Sequence, residues 1–151
     1  MKKLGIFLII AFLMSLAAGC VSNANPDEQF KSAWQASEND VKAYGENMRA
    51  AMGPEGSTNY DIKALSSGSK TMIGTLDRHH DTISKIQVSA KYAGAKQEYL
   101  AALSDLRMAC VDLSKAEDAG STGALGYIMS SAPWLESSQQ KRDNVKKVMN
   151  A

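Results

Sequence analysis

Three stretches of the chain repeat apolar or small residues at alternating steps of three and four, the spacing of one helix face. The first is Phe30, Trp34, Ser37, Val41, Tyr44, Met48 and Ala51. The second is Ile62, Leu65, Ser69, Met72, Leu76, His79, Ile83 and Ile86. The third is Tyr92, Lys96, Tyr99, Leu103, Leu106, Cys110 and Leu113. A fourth set is less regular: Leu125, Ile128, Ala132 and Leu135, then Val145, Val148 and Met149, with Pro133 expected to kink or restart the helix. No strand-like alternation of useful length occurs. The pattern predicts helices over 27–52, 60–87, 90–117 and 123–149 and no strand.

Local signals set the boundaries. Pro26-Asp27-Glu28 suits a helix start, with a proline in the first turn and acids at the positive end of the dipole. Met52-Gly53-Pro54 is a glycine stop followed by a proline. Asn59 or Asp61 can cap the second helix, and Ser121 or Thr122 the fourth, after a stop near Asp118-Ala119-Gly120. No glycine or proline separates the second and third stripes, but the heptad phase jumps between them. That jump places a turn at Val88-Ser89, with Ser89 as N-cap. Each helix has one apolar stripe to bury, so the expected fold is all-α, an antiparallel up-and-down four-helix bundle. The alternative is an elongated form with helices 2 and 3 continuous, about 87 Å long.

The segment before the first stripe reads differently. Lys2 and Lys3 precede an apolar run from Leu4 to Leu16, then Ala17-Ala18-Gly19-Cys20. The run is shorter than the ~20 residues that span a bilayer, and its flanks are those of a secretory signal. With Cys20 after Ala-Ala-Gly, the segment resembles the prokaryotic lipoprotein signal, although Leu16 stands one place earlier than the usual pattern has it. The resemblance implies cleavage before Cys20 and lipidation of its thiol, so that acyl chains anchor the protein to a membrane on the extracytoplasmic face. Residues 1–19 would then be the signal peptide, 20–26 the lipidated cysteine and tether, and 27–151 the helical domain.

Composition narrows the function classes. The 151 residues include 17 basic and 16 acidic side chains, which argues against a nucleic-acid partner. Without residues 1–19 the count is 15 against 16, and Cys110 is the one cysteine left unmodified, so no internal disulfide forms. Ile86-Gln-Val-Ser-Ala-Lys-Tyr92 and Lys96-Gln-Glu-Tyr-Leu-Ala-Ala-Leu103 resemble a segment of small helical lipoproteins of methanogenic archaea. Those proteins carry no assigned activity. Many have a proline where this chain has Ala90, which supports the turn.

Catalytic and metal chemistry find little footing. His79 and His80 are adjacent, so on a helix they point about 100° apart and cannot share one metal. Asp77, His80 and Asp81 share a face and are weak candidates for a divalent ion. The competing reading is a solvated face, with Asp81 paired to Lys85. His79 sits on a stripe and is expected to be half-buried beside a hydrogen-bonding neighbour. Antiparallel packing sets Cys110 opposite residue 66 or so, about 19 Å from His79, which excludes a Cys–His dyad and leaves a small buried hydrophobe. Gly120, Gly123 and Gly126 lack the preceding strand and following lysine of a phosphate loop. No cofactor is implied, and an enzyme is not expected.

Charge has a direction along the bundle. Eight basic and five acidic residues fall near the tether, the 88 turn and the C-terminus, against four basic and seven acidic at the other end. Lys85, Lys91, Lys146 and Lys147 would form a membrane-proximal basic cluster. The expected function is a lipid-anchored, non-enzymatic helical interaction module with a protein or envelope partner. The alternative is an extracytoplasmic sensor or carrier that binds a small ligand or metal between helices. A ligand pocket lined by His79 and Tyr99 would favour the second, and a filled core with an exposed apolar patch the first.

Overall fold

The computed structural model describes residues 25–54 and 60–151 and, at Ser121 and Thr122, the backbone alone. Its four helices are α1 (Pro26–Met52), α2 (Ile62–Lys85), α3 (Ala90–Ser114) and α4 (Gly120–Met149). They form an antiparallel four-helix bundle in chain order, without strands among the described residues. Cys20 and the apolar run before it lie outside the described residues, as does Asn59.

The ends follow from local chemistry. The Asn25 side chain accepts from the Asp27 N–H at 3.0 Å, and Pro26 opens the helix. Gly53 ends α1 at φ 72°, a left-handed backbone that glycine adopts without strain, and its N–H bonds the carbonyls of Arg49 and Ala50. Asp61 caps α2 through the Ala64 N–H at 2.9 Å. Two sequence expectations need correction. Ser89 holds the N-cap position of α3, but its hydroxyl makes no capping bond. α4 begins at Gly120, so Ser121 and Thr122 fall inside its first turn, not at its cap.

The break between α2 and α3 is real, and side chains from elsewhere hold it. Ile86 and Ser89 are extended, with ψ of 124° and 164°. The Ser89 N–H donates to Asp27 Oδ1 at 2.8 Å, tying the turn to the start of α1. That bond, helped by Lys31 and Lys91, holds the Asp27 carboxyl below its ordinary value. Lys96 donates to the carbonyls of Ile86 and Ser84 at 2.6 and 2.8 Å, satisfying acceptors that the end of α2 leaves free. A charged residue on the third stripe thus serves as a C-terminal cap for the preceding helix.

The first three stripes are the core. Phe30, Leu65, Leu76, Ile83, Tyr99 and Leu103 are fully buried. On α4 the expected positions Ile128, Leu135, Val145, Val148 and Met149 face the core, but Leu125 and Ala132 do not. Ala124, Ser131, Ser138, Val145 and Met149 are buried, with Ile128, Leu135 and Arg142 half-buried between them. Leu125 and Ala132, one position off that row, are exposed. Pro133 neither ends nor restarts the helix, which runs unbroken through it. Met129 and Pro133 both lie on the exposed side, where water can take the carbonyl that proline leaves without a donor.

Small residues decide how the helices are spaced. Buried alanines recur every seventh residue on α3, at 95, 102 and 109, and continue at 116 in the turn after it, and α4 answers with Ala124, Ser131 and Ser138. Ser138 donates to the Ala102 carbonyl at 2.8 Å, a backbone contact that only small side chains permit. Polar pairs mark the same register one heptad apart: Asp112–Ser130, Asp105–Ser137 and Glu98–Asn144. Lys141 also bonds Asp105. α3 lies close against α4 and against α2, and α2 against α1. The backbones of the first and last helices, α1 and α4, stay farther apart.

Candidate functional site

The separation of α1 from α4 leaves a cleft. Its apolar part has a volume of about 330 Å³. Val41, Tyr44, Gly45, Met48 and Met52 line it from α1, and Ile128, Ala132, Leu135, Gln139 and Arg142 from α4. Leu106 and Leu113 of α3 form the floor. An ideal Cβ at Gly45 would meet nothing within 4 Å, so the glycine leaves open space beside the cleft. Exposed Leu125 and Met129 continue the row of Ala132 toward the far end of α4.

Most polar atoms in the lining are already engaged. Tyr44 shares a 2.8 Å hydrogen bond with Ser69, Ser131 donates to the Ile128 carbonyl at 2.7 Å, and Ser138 is committed to Ala102. Burial, with Cys110 close by, pushes the Tyr44 hydroxyl above its ordinary value, so it stays protonated. The surface a guest would meet is therefore apolar over most of its length. It turns polar at Gln139 and Arg142.

At that end the cleft is crossed by a clasp. Arg142 donates from Nε and Nη2 to the two oxygens of Glu38, at 2.7 and 2.8 Å. The hydroxyl of Tyr99 donates to Glu38 Oε1 at 3.0 Å. Burial alone would lower the Arg142 guanidinium, but Glu38 more than offsets it and the net shift is upward. For Tyr99, burial first and Glu38 second push the hydroxyl up. One acid thus joins α1, α3 and α4, in a partly buried setting where losing either charge would strand the other.

The residues singled out from sequence lie elsewhere. His79 is half-buried, its Nε2 2.8 Å from Asp40 Oδ2, and it does not line the cleft. Tyr99 is wholly buried beneath the clasp and does not line it either. The pocket that the alternative reading placed at His79 and Tyr99 is thus not the cleft, which lies on the α1–α4 seam while His79 faces Asp40 on the α1–α2 seam. Asp77 is taken by Arg107 at 2.6 and 3.3 Å, and Asp81 by Lys85 at 2.6 Å, while His80 is exposed. Among the described residues no group of three or more His, Cys, Asp and Glu side chains is brought together to hold a metal ion.

Cys110 is fully buried, and burial pushes its thiol up to about 11, against a smaller opposing pull from a hydrogen bond with Tyr44. It has no histidine partner: His79 is paired with Asp40. Two of the three spaced glycines serve the α3–α4 connection. Gly120 has φ 67°, and a Cβ at Gly123 would come within 2.7 Å of the Ala119 Cβ.

Lys85 ends α2, Lys91 opens α3, and Lys146 and Lys147 lie in the last turn of α4, so the topology carries all four to one end of the bundle. Lys85 pairs with Asp81 there, and Lys91 and Lys31 sit 5.1 and 5.2 Å from the centre of the Tyr92 ring. A second apolar patch, Met108 with Trp134, is exposed on the outer α3–α4 seam. No helix among the described residues is long and apolar enough to cross a membrane. Comparison of the chain with known protein families, with curated proteins and with solved structures finds no match in any of the three.

Proposed function

We propose that this is a lipid-anchored, non-enzymatic protein of the extracytoplasmic face of a prokaryotic membrane, and that its bundle binds a small ligand in the cleft between α1 and α4. The observation that carries the ligand reading is an apolar cleft of about 330 Å³ along the α1–α4 seam; the larger groove on the α1–α2 seam, about 450 Å³, is lined by polar side chains such as Asp40, Asn47, Thr71 and Arg78. That volume lies within the ordinary range of small-molecule sites, and the site combines apolar walls with a few polar groups at one end. Support for the anchor comes from Cys20 and the apolar run before it. The absence of enzymatic activity is proposed because the buried Cys110 thiol and the paired His79 form no nucleophile–base arrangement.

Two measurements test this. Wild type and Cys20→Ala should divide differently between membrane and soluble fractions, and an identical distribution rejects the anchor. Native mass spectrometry of protein purified from membranes should show a bound small molecule that Ala132→Trp removes. Protein free of any adduct in both forms would reject the ligand reading. The Met108–Trp134 patch favours a second reading, a protein partner on the α3–α4 face. In that case Trp134→Ala would abolish a crosslink formed in intact membranes.

A further inference from the structure

We propose that the α1–α4 cleft takes a single-chain alkyl amphiphile, its hydrocarbon tail lying between Met48, Met52 and Ile128 and its oxygen-bearing head at Gln139 and Arg142. This deepens the ligand reading by naming the class of ligand.

Size excludes the larger guests. From Ile128 to Arg142 the cleft runs about 21 Å along α4. A volume of about 330 Å³ over that length is a narrow channel. A helix about 10–12 Å across is far wider than that channel, so a partner helix could cover the cleft but not enter it. One hydrocarbon chain matches both the length and the narrowness.

Polarity gives the orientation. Tyr44 is engaged with Ser69, and Ser131 and Ser138 have spent their donors on backbone carbonyls, so the tail region offers little to a polar guest. Gln139 makes no side-chain hydrogen bond among the described residues. Arg142 spends Nε and Nη2 on Glu38, which leaves Nη1 to donate to a head oxygen. Because Glu38 already matches the guanidinium charge, a neutral head is accepted as well as a carboxylate. Met48 and Met52 supply flexible walls that mould to straight or branched chains. The chemistry is shared by fatty acyl and isoprenoid compounds.

The test uses the whole chain reconstituted in phosphatidylcholine vesicles. The probe is a 16-carbon fatty acid with a diazirine at the tail end, and crosslinked peptides are mapped after irradiation. The label should fall on segments carrying Met52, Leu113 and Ile128. Unlabelled hexadecanoate or phytanic acid should compete, and the stronger competitor identifies the straight-chain or the isoprenoid source. Hexanoate should compete at least a hundredfold less well, because each buried methylene is worth about fourfold in affinity. Ala132→Trp and, separately, Gly45→Trp should cut labelling at least tenfold while helical content and melting temperature are kept. Trp134→Ala should leave it unchanged. Label confined to the tether end, equal competition by hexanoate, or undiminished labelling in both blocking variants would overturn the proposal. A small-molecule adduct without cleft labelling would sink the amphiphile and leave the ligand reading standing.

Discussion

Cys110 shows what burial does to one side chain. It occupies a third-stripe position, is fully buried, and has its thiol pushed up to about 11. Only the thiolate reacts, so an aromatic disulfide reagent at pH 8 should modify the native protein far more slowly than the denatured chain. The native rate should keep rising with pH toward about 11. Labelling as fast as free cysteine at pH 8 would show that the core opens readily. Two glycines on the same helix should respond with opposite signs. At Gly45 an added Cβ meets nothing, so Gly45→Ala should stabilise by about 1 kcal/mol, a rise of roughly 3 °C in Tm. Gly53 stands at φ 72°, so Gly53→Ala should destabilise by about 1 kcal/mol. Thermal melts of both variants check the pair.

The four helices were legible to different degrees, and side-chain size explains why. In α1, α2 and α3 the buried row carries Phe, Leu, Ile, Tyr and Met, and a count of spacing finds it. In α4 the second half of the buried row, Val145 and Met149, is found the same way, but its first half is Ala124, Ser131 and Ser138, so hydropathy there points one residue aside, to Leu125 and Ala132. Lys96 is a charged member of its stripe because it caps the carbonyls of Ser84 and Ile86. The cleft was not legible at all. It arises because small residues on both partners draw α4 onto α3 and so away from α1, a result of three helices at once. The close seam should punish added bulk: Ala109→Leu is expected to cost about 1–3 kcal/mol by overpacking. Denaturant titration measures it, and a variant as stable as wild type would mean that α4 can retreat freely.

For the whole molecule, charge and topology bear on orientation. Lys85, Lys91, Lys146 and Lys147 share the end that holds the start of α1. Polybasic segments near an anionic surface contribute about 1 kcal/mol per charge, and salt weakens them. Residues 25–151 should therefore bind anionic vesicles weakly at low salt and release them as salt rises. Reversing the four lysines to Glu should abolish binding, while reversing Lys63 and Lys115 should not. Equal binding to neutral vesicles would show that the cluster is only a solvated surface. If the proposed anchor holds the bundle upright, the apolar cleft would begin at Val41, about 22 Å along α1 from Pro26, beyond the reach of a bilayer's own hydrocarbon.

The loose seam also divides the molecule by how it opens. α1 has its close backbone packing on α2, touches α3 through Phe30–Tyr92 and Tyr99–Glu38, and reaches α4 mainly through the Glu38–Arg142 clasp, whereas α3 and α4 interlock in layers spaced one heptad apart. Helices with few close neighbours unfold locally at lower free energy than the rest. Backbone amides of α1 should therefore exchange with deuterium through a partial opening that leaves α3 and α4 protected. Glu38→Gln should speed exchange in α1 and leave the central amides of α3 near the global rate. α1 is thus the helix that can swing out, and the α3–α4 pair is the frame it swings from.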